Sequence, residues 1–177
     1  MQSGRGIILR LTKLSDTSLI VTWCVEGHGL VKTVAKGARN AKGKFSGKID
    51  LFYLAEIDWV ESRRSELHTL REVQPLEYHA GLRQRYKDVL MAGYFSALVE
   101  HVMEVGLSEE EVFDLLQRAL QYLDQKGGER RGLEHFENEL AKMTGVWDGK
   151  RRSFLALEDA FGKLPPTRKQ CLELLDA

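Results

Sequence analysis

Up to Pro75 the apolar positions recur every second residue, and beyond it every three or four, which predicts strands followed by helices. Ile7, Leu9 and Leu11 alternate with Ile8, Arg10 and Thr12, the pattern of a half-buried strand with Arg10 on its outer face. Ser15-Asp16-Thr17-Ser18 reads as a turn and Leu19 to Val25 as a second strand, after which Glu26-Gly27-His28-Gly29 supplies the glycines of a tight reversal. In the third strand, Leu30 to Ala35, Lys32 and Lys36 share a face with Val34, while Val31, Thr33 and Ala35 share the other. Gly37 to Lys48 reads as a flexible, glycine- and lysine-rich loop. Ile49 to Val60 fits a long fourth strand with Leu51, Tyr53, Ala55, Ile57 and Trp59 on one face, and Leu67 to Val73 a fifth that Pro75 closes. Five strands in about 75 residues predict a small barrel.

The helical half starts with a long helix through Leu82, Tyr86, Val89, Leu90, Ala97, Leu98 and Val102, ending before Gly106. Ser108 and Glu111 form a capping box that opens a second helix, which Gly127-Gly128 ends. A third, carrying Leu133, Phe136, Leu140 and Met143, stops at Gly145. Two short ones follow at Ser153 to Phe161 and Thr167 to Leu175, separated by Pro165-Pro166. The expected class is therefore α+β in two domains, a five-stranded barrel over 1–78 and an all-α domain over 79–177.

Composition adds few constraints, but charge adds a sharp one. The hydrophobic and charged fractions, 43% and 29%, are those of a soluble globular chain. No apolar run approaches the roughly 20 residues of a membrane helix, and the first residues lack a signal-peptide pattern, so a cytoplasmic protein is expected. Cys24 and Cys171 stand alone, without neighbours at metal-ligand spacing, and read as buried thiols; the five histidines form no ligand pair. The net charge of zero hides an imbalance: residues 1 to 75 hold 12 Lys/Arg against 8 Asp/Glu, and Arg5 to Lys48 hold 9 against 2. One end of the molecule is a cation.

That charge defines the candidate chemistry. Lys36, Arg39, Lys42, Lys44 and Lys48 surround three glycines; cations that pair with phosphates release condensed counterions, and glycines let backbone approach the ligand. Arg10 and Lys32, on outward strand faces, extend the patch, and five-stranded barrels bind single strands through sheet face and loops. The same loop fails as a nucleotide phosphate loop, because five residues separate Gly37 from Gly43-Lys44 and Phe45 stands where Ser or Thr must hold magnesium. Gly27-x-Gly29 lacks the third glycine of a dinucleotide site. Trp23, Phe45, Phe52, Tyr53 and Trp59 could stack on bases, although strand spacing assigns most of them to the core; Phe45 is either a stacking ring or a plug holding the loop on the barrel. Glu109-Glu110-Glu111 reads as dipole-complementing acid in a helix's first turn. No catalytic residues, cofactor or metal site emerge.

These residues resemble the bacterial recombination mediator family RecO. The likeness rests on Gly6-Ile7-Ile8-Leu9-Arg10, Ser18-Leu19-Ile20-Val21-Thr22, His28-Gly29-Leu30 and above all Val34-Ala35-Lys36-Gly37-Ala38-Arg39, with Ala92-Gly93-Tyr94 and Leu133-x-x-Phe136-Glu137-x-x-Leu140 further on. It implies an N-terminal OB-fold and a helical C-terminal domain. It also implies a non-enzymatic role in recombinational DNA repair: binding single- and double-stranded DNA, annealing complementary strands and, with RecR, loading RecA onto strands coated by single-stranded DNA-binding protein, in the cytoplasm at the nucleoid. Arg10, Lys36 and Arg39 fall on matched positions and become the implied phosphate contacts; Lys32, Lys42, Lys44 and Lys48 rest on charge alone. Without a four-cysteine zinc module, the chain reads as a short member. Two rivals stand beside this reading: an adaptor whose barrel is a scaffold and whose helical half docks partners, and an enzyme whose polar residues converge only in the fold.

Overall fold

The alternation that opens the chain becomes β1, Gln2–Lys13, in a computed structural model that describes residues 1–103 and 109–177. β2 (Leu19–Val25), β3 (Gly29–Ala35), β4 (Leu54–Val60) and β5 (Leu67–Glu77) follow. They close into a barrel in the order β1-β2-β3-β5-β4, with every neighbouring pair antiparallel except β3 and β5. The barrel is the five-stranded one that the periodicity predicts, with the OB-fold that the family resemblance implies, and helices follow it.

Its faces differ from the expectation at β1. Ile8 pairs with Trp23 and Arg10 with Thr22, so Leu9 is an extra residue, a bulge. One inserted residue reverses the parity of the strand: Ile8 and Leu11 belong with the barrel core, whereas Ile7 and Leu9, although buried, do not. Arg10 stays outward, on the side expected for it. β4 is shorter than predicted, because residues 49–53 turn: Phe52 adopts φ 69°, and its N–H donates to the Ile8 carbonyl at 3.0 Å. β5 runs past Pro75, which pairs with Ala55 of β4. Only Leu67–Thr69 pair with β3, so the N–H that proline lacks belongs to an edge where no ladder bond is needed.

Inside the barrel Trp23 and Trp59 are fully buried with Ile57, Val21 and Val31. Gly4 and Gly6 make room for them: a Cβ on Gly6 would lie 3.1 Å from the Trp23 ring, and one on Gly4 3.0 Å from Val25. The Trp23 indole N–H finds a buried acceptor, Thr33 Oγ1, at 2.9 Å.

Residues 1–78 and 79–177 form two compact units. The second holds α1 (Tyr86–Met103), α2 (Glu109–Lys126), α3 (Arg130–Met143), α4 (Ser153–Phe161) and α5 (Thr167–Leu175). The predicted first helix is broken: Leu82–Gln84 form a separate 3-10 turn, and Arg85 is extended. Side chains dictate the break, since the Leu82 N–H donates to Asp124 Oδ1 at 3.1 Å and Arg85 pairs with buried Asp88. Asp88 also accepts the Gly128 N–H at 2.6 Å, and a Cβ on Gly128 would lie 2.2 Å from Met91 Sδ. The predicted helix end at Gly106 and the cap at Ser108 lie outside the described residues.

A buried polar cluster joins three helices. Tyr94 (α1) donates to Glu137 Oε1 (α3) at 2.6 Å, and Arg168 (α5) grips the same carboxylate through Nε at 2.6 Å and Nη2 at 3.1 Å. Burial and the adjoining Glu137 raise the Tyr94 pKa far above its ordinary range. Arg168 lies over the Phe154 ring at 3.9 Å, and Phe95 stacks on Phe136 at 4.1 Å.

Both cysteines are buried and neither is in a disulfide, and burial, followed by the nearby Glu137 charge, pushes the Cys171 thiol up to about 11. Ellman's reagent at pH 8 is therefore expected to label neither thiol in the folded protein and both after urea unfolding. A thiol that reacts within seconds in the native state would contradict this packing.

Candidate nucleic-acid interface

The outer surface of the barrel is divided by charge, and strand register decides the division. Arg10, Thr22 and Lys32 stand directly opposite one another on β1, β2 and β3, so their side chains share the outward face. Arg10 is exposed and Lys32 half-buried, while Thr22 between them is 1% exposed. On the other side Asp58 of β4 pairs with Glu72 of β5, and Glu56 with Gln74, which makes that face acidic.

The segment 36–48 continues the basic side, and hydrogen-bonded turns give the loop a definite shape. Successive turns close it: the N–H groups of Ala38, Asn40, Gly43, Ser46 and Lys48 donate to the carbonyls of Ala35, Gly37, Asn40, Gly43 and Phe45 at 2.9–3.3 Å. Gly37 and Gly47 take φ values of 71° and 72°, where L side chains are strained. A Cβ on Gly43 would come within 2.7 Å of the Gly37 carbonyl. Phe45 is 3% exposed and packs in the barrel core; of the two roles open to it, the plug is the one adopted. Trp23, Phe52 and Trp59 are also buried, and Tyr53 packs edge-on against Tyr78 with 4.9 Å between centroids.

Among the seven predicted cations, Arg39 and Lys44 are engaged within the protein in ways that fix the loop. Arg39 Nη1 donates to the carbonyls of Ser15 and Asp16 at 3.0 and 3.1 Å, and its N–H donates to the Thr17 carbonyl at 3.0 Å. Ser18 Oγ accepts the Gly37 N–H at 3.4 Å. Arg39 thus fastens the start of the loop to the β1–β2 turn. Lys44 Nζ lies 3.3 Å from Glu72 Oε1, donates to the Arg71 carbonyl and sits 5.1 Å from the Phe45 ring centre. It crosses to the acidic side and is neutralised there. Lys32, Lys36, Lys42 and Lys48 form no ion pair with any described residue; Lys36 and Lys42 are exposed, Lys32 and Lys48 half-buried. Arg5, also basic, is bidentate with Glu26 at 2.7 and 2.8 Å. Those hydrogen bonds hold the Glu26 carboxyl below its ordinary range and the guanidinium above its own. The β1–β2 turn as a holder of the loop escaped the sequence reading, since nothing in Ser15-Asp16-Thr17-Ser18 announces an acceptor for a guanidinium 23 residues away.

In the helical unit a half-open groove of about 410 Å³ has Met91, Phe95, Leu115 and Phe136 on its walls, with Arg118, Arg131 and His135 also lining it. Among the described residues no group of His, Cys, Asp or Glu could hold a metal ion, and no helix is long and apolar enough to cross a membrane.

Residues 1–79 match the family model described as Recombination protein O N terminal. Curated relatives extend the match into the helical unit. A DNA repair protein RecO from Rhodopirellula baltica is 30% identical over 156 residues, 88% of this chain and 57% of the relative. One from Rubrobacter xylanophilus is 32% identical over 144 residues, 80% of this chain and 56% of the relative, and one from Syntrophus aciditrophicus 27% over 140, 79% and 54%. The chain spans a little over half the length of these relatives.

Proposed function

The chain belongs to the RecO family of DNA repair proteins, and from that premise we propose that it is a non-catalytic DNA-binding and strand-annealing protein that reads the phosphate backbone through its barrel. The observation that carries the reading is the segregation of charge: Lys32, Lys36, Lys42 and Lys48 have no acidic partner among the described residues, while Glu56 and Asp58 of β4 stand beside Glu72 of β5 on the other side. Such a surface attracts a polyanion along one side and repels it along the other. With the barrel's tryptophans and Phe45 inside, this face offers charge rather than stacking platforms, so bound strands keep their bases free to pair. Covering phosphates lowers the repulsion between complementary strands, and single- and double-stranded DNA are both ligands.

Annealing of two dye-labelled complementary oligonucleotides tests the proposal. The protein is expected to accelerate annealing at low salt and to lose that effect as salt rises; a rate identical with and without protein would overturn it. Arg39 provides a finer check. An arginine gripping two carbonyls cannot be replaced by the point charge of lysine, so Arg39→Lys is expected to weaken DNA binding as much as Arg39→Ala does. If Arg39 instead contacted phosphate directly, the lysine variant would bind nearly as well as the parent in fluorescence anisotropy.

The protein partners of the same reading, RecR and single-stranded DNA-binding protein, with RecA served indirectly, require a different surface, in the cytoplasm at the nucleoid. The groove lined by Met91, Phe95 and Phe136 suits a short peptide with apolar side chains, and Arg118, Arg131 and His135 favour an acidic one.

A further inference from the structure

Charge in the helical unit runs against DNA: from His79 to Ala177 there are 17 acids and 14 bases. One segment departs from this. Between Lys142 and Arg152 four bases, Lys142, Lys150, Arg151 and Arg152, stand against Asp148 alone, and Trp147 lies among them.

The segment is folded rather than trailing. Gly145 turns the chain at the end of α3 with φ 71°, and the Val146 N–H returns to the Ala141 carbonyl at 3.2 Å. Asp148 Oδ1 accepts the Lys150 N–H at 2.9 Å, and the Trp147 indole N–H donates to the Arg151 carbonyl, which fixes the orientation of the ring. Lys142 Nζ lies 5.8 Å from that ring's centre. Two of the cations have acidic partners, Lys142 with Glu139 at 2.8 Å and Arg151 with Asp159 at 2.6 Å. Lys150 and Arg152 are exposed and form no ion pair with any described residue. α4, which begins at Ser153, brings no acid into its first turn. Trp147 itself is half-buried, unlike Trp23 and Trp59, which are 0% and 1% exposed.

We propose that this loop is a second single-stranded DNA site, in which Trp147 stacks on a base and Lys150 and Arg152 hold flanking phosphates. An aromatic ring set among cations is the combination that binds single strands without regard to sequence; the barrel face supplies the cations without the ring. The inference rests on DNA as the ligand proposed above and adds a role for the helical unit. A chain that holds one strand on its barrel and another on this loop brings two strands into the same complex, and annealing requires that encounter.

Tryptophan emission tests it in the full-length protein, because Trp147 is the one indole that a nucleic acid can reach among three. Oligothymidylate titrated at low salt is expected to quench the emission. The quenching should disappear in Trp147→Phe and Lys150→Glu/Arg152→Glu, and persist in Lys36→Glu/Lys42→Glu/Lys48→Glu. Trp147→Ala should weaken oligonucleotide binding to that triple variant about tenfold, the order of one lost stacking contact, while Trp147→Phe should stay within about twofold. If anisotropy reports binding but emission does not change, or if the quenching vanishes with the barrel lysines alone, the second site is wrong and the barrel reading stands. If no oligonucleotide binds at low salt, both fall.

Discussion

Arg168→Ala is expected to lower the stability of the helical unit by roughly 3–5 kcal/mol, because removing one member of a buried pair leaves the other charge uncompensated. The carboxylate of Glu137 is 1% exposed and its partner's side chain 18%, so water replaces little of what the guanidinium supplies. Tyr94 would remain as a donor on one oxygen, and the second oxygen would have lost its hydrogen bond. The argument predicts more than loss. Substituting both charges with apolar or neutral groups of similar size, Glu137→Gln with Arg168→Met, should recover much of what either single change costs, since a well-packed replacement often matches a buried ion pair. Thermal melts followed by far-UV circular dichroism provide the measurement. Arg168→Ala should shift the midpoint by about 12 °C or more, and a shift below 2 °C would mean that the cluster does not hold α1, α3 and α5 together.

The other large effect concerns DNA. Lys36→Glu/Lys42→Glu/Lys48→Glu is expected to bind single strands about a hundredfold more weakly at 0.1 M salt, because three lost contacts at about 0.7 each flatten the log-log salt slope by about 2. None of the three side chains has an ion pair among the described residues that the substitution would break, so folding should be spared and the melting curve should match the parent's. Lys44 is a poor choice for such a variant. Lys44→Glu would place a second carboxylate beside Glu72, whose oxygen now lies 3.3 Å from the ammonium, and its effect would mix loop anchoring with charge.

The same residues show what the sequence can and cannot reveal. Hydrophobic period located β2, and α4 and α5 with their termini, since each is a local pattern closed by local signals such as Pro165-Pro166. It mistook the inner face of β1 because a single inserted residue, Leu9, reverses parity without altering composition. It ended β5 early because proline is a stop signal only where the ladder needs its N–H, and whether Pro75 faces an edge depends on a partner strand far away in sequence. Charge located the basic side but not which cations remain available. Arg39 meets Ser15 and Asp16 across 24 and 23 residues, Lys44 meets Glu72 across 28, and Tyr94 meets Glu137 across 43. Two of the motifs that carry the later part of the family likeness, Ala92-Gly93-Tyr94 and Phe136-Glu137, converge in the buried cluster.

The salt dependence of single-strand binding by the unmodified protein tests the central claim most directly. If the barrel face works by neutralising phosphates, Lys32, Lys36, Lys42 and Lys48 alone make log K fall with log salt at a slope of about −3 or steeper, with little difference between oligonucleotide sequences. A slope shallower than about −1, or no binding in low salt, would contradict the claim and turn attention to the helical groove as the working surface of the protein.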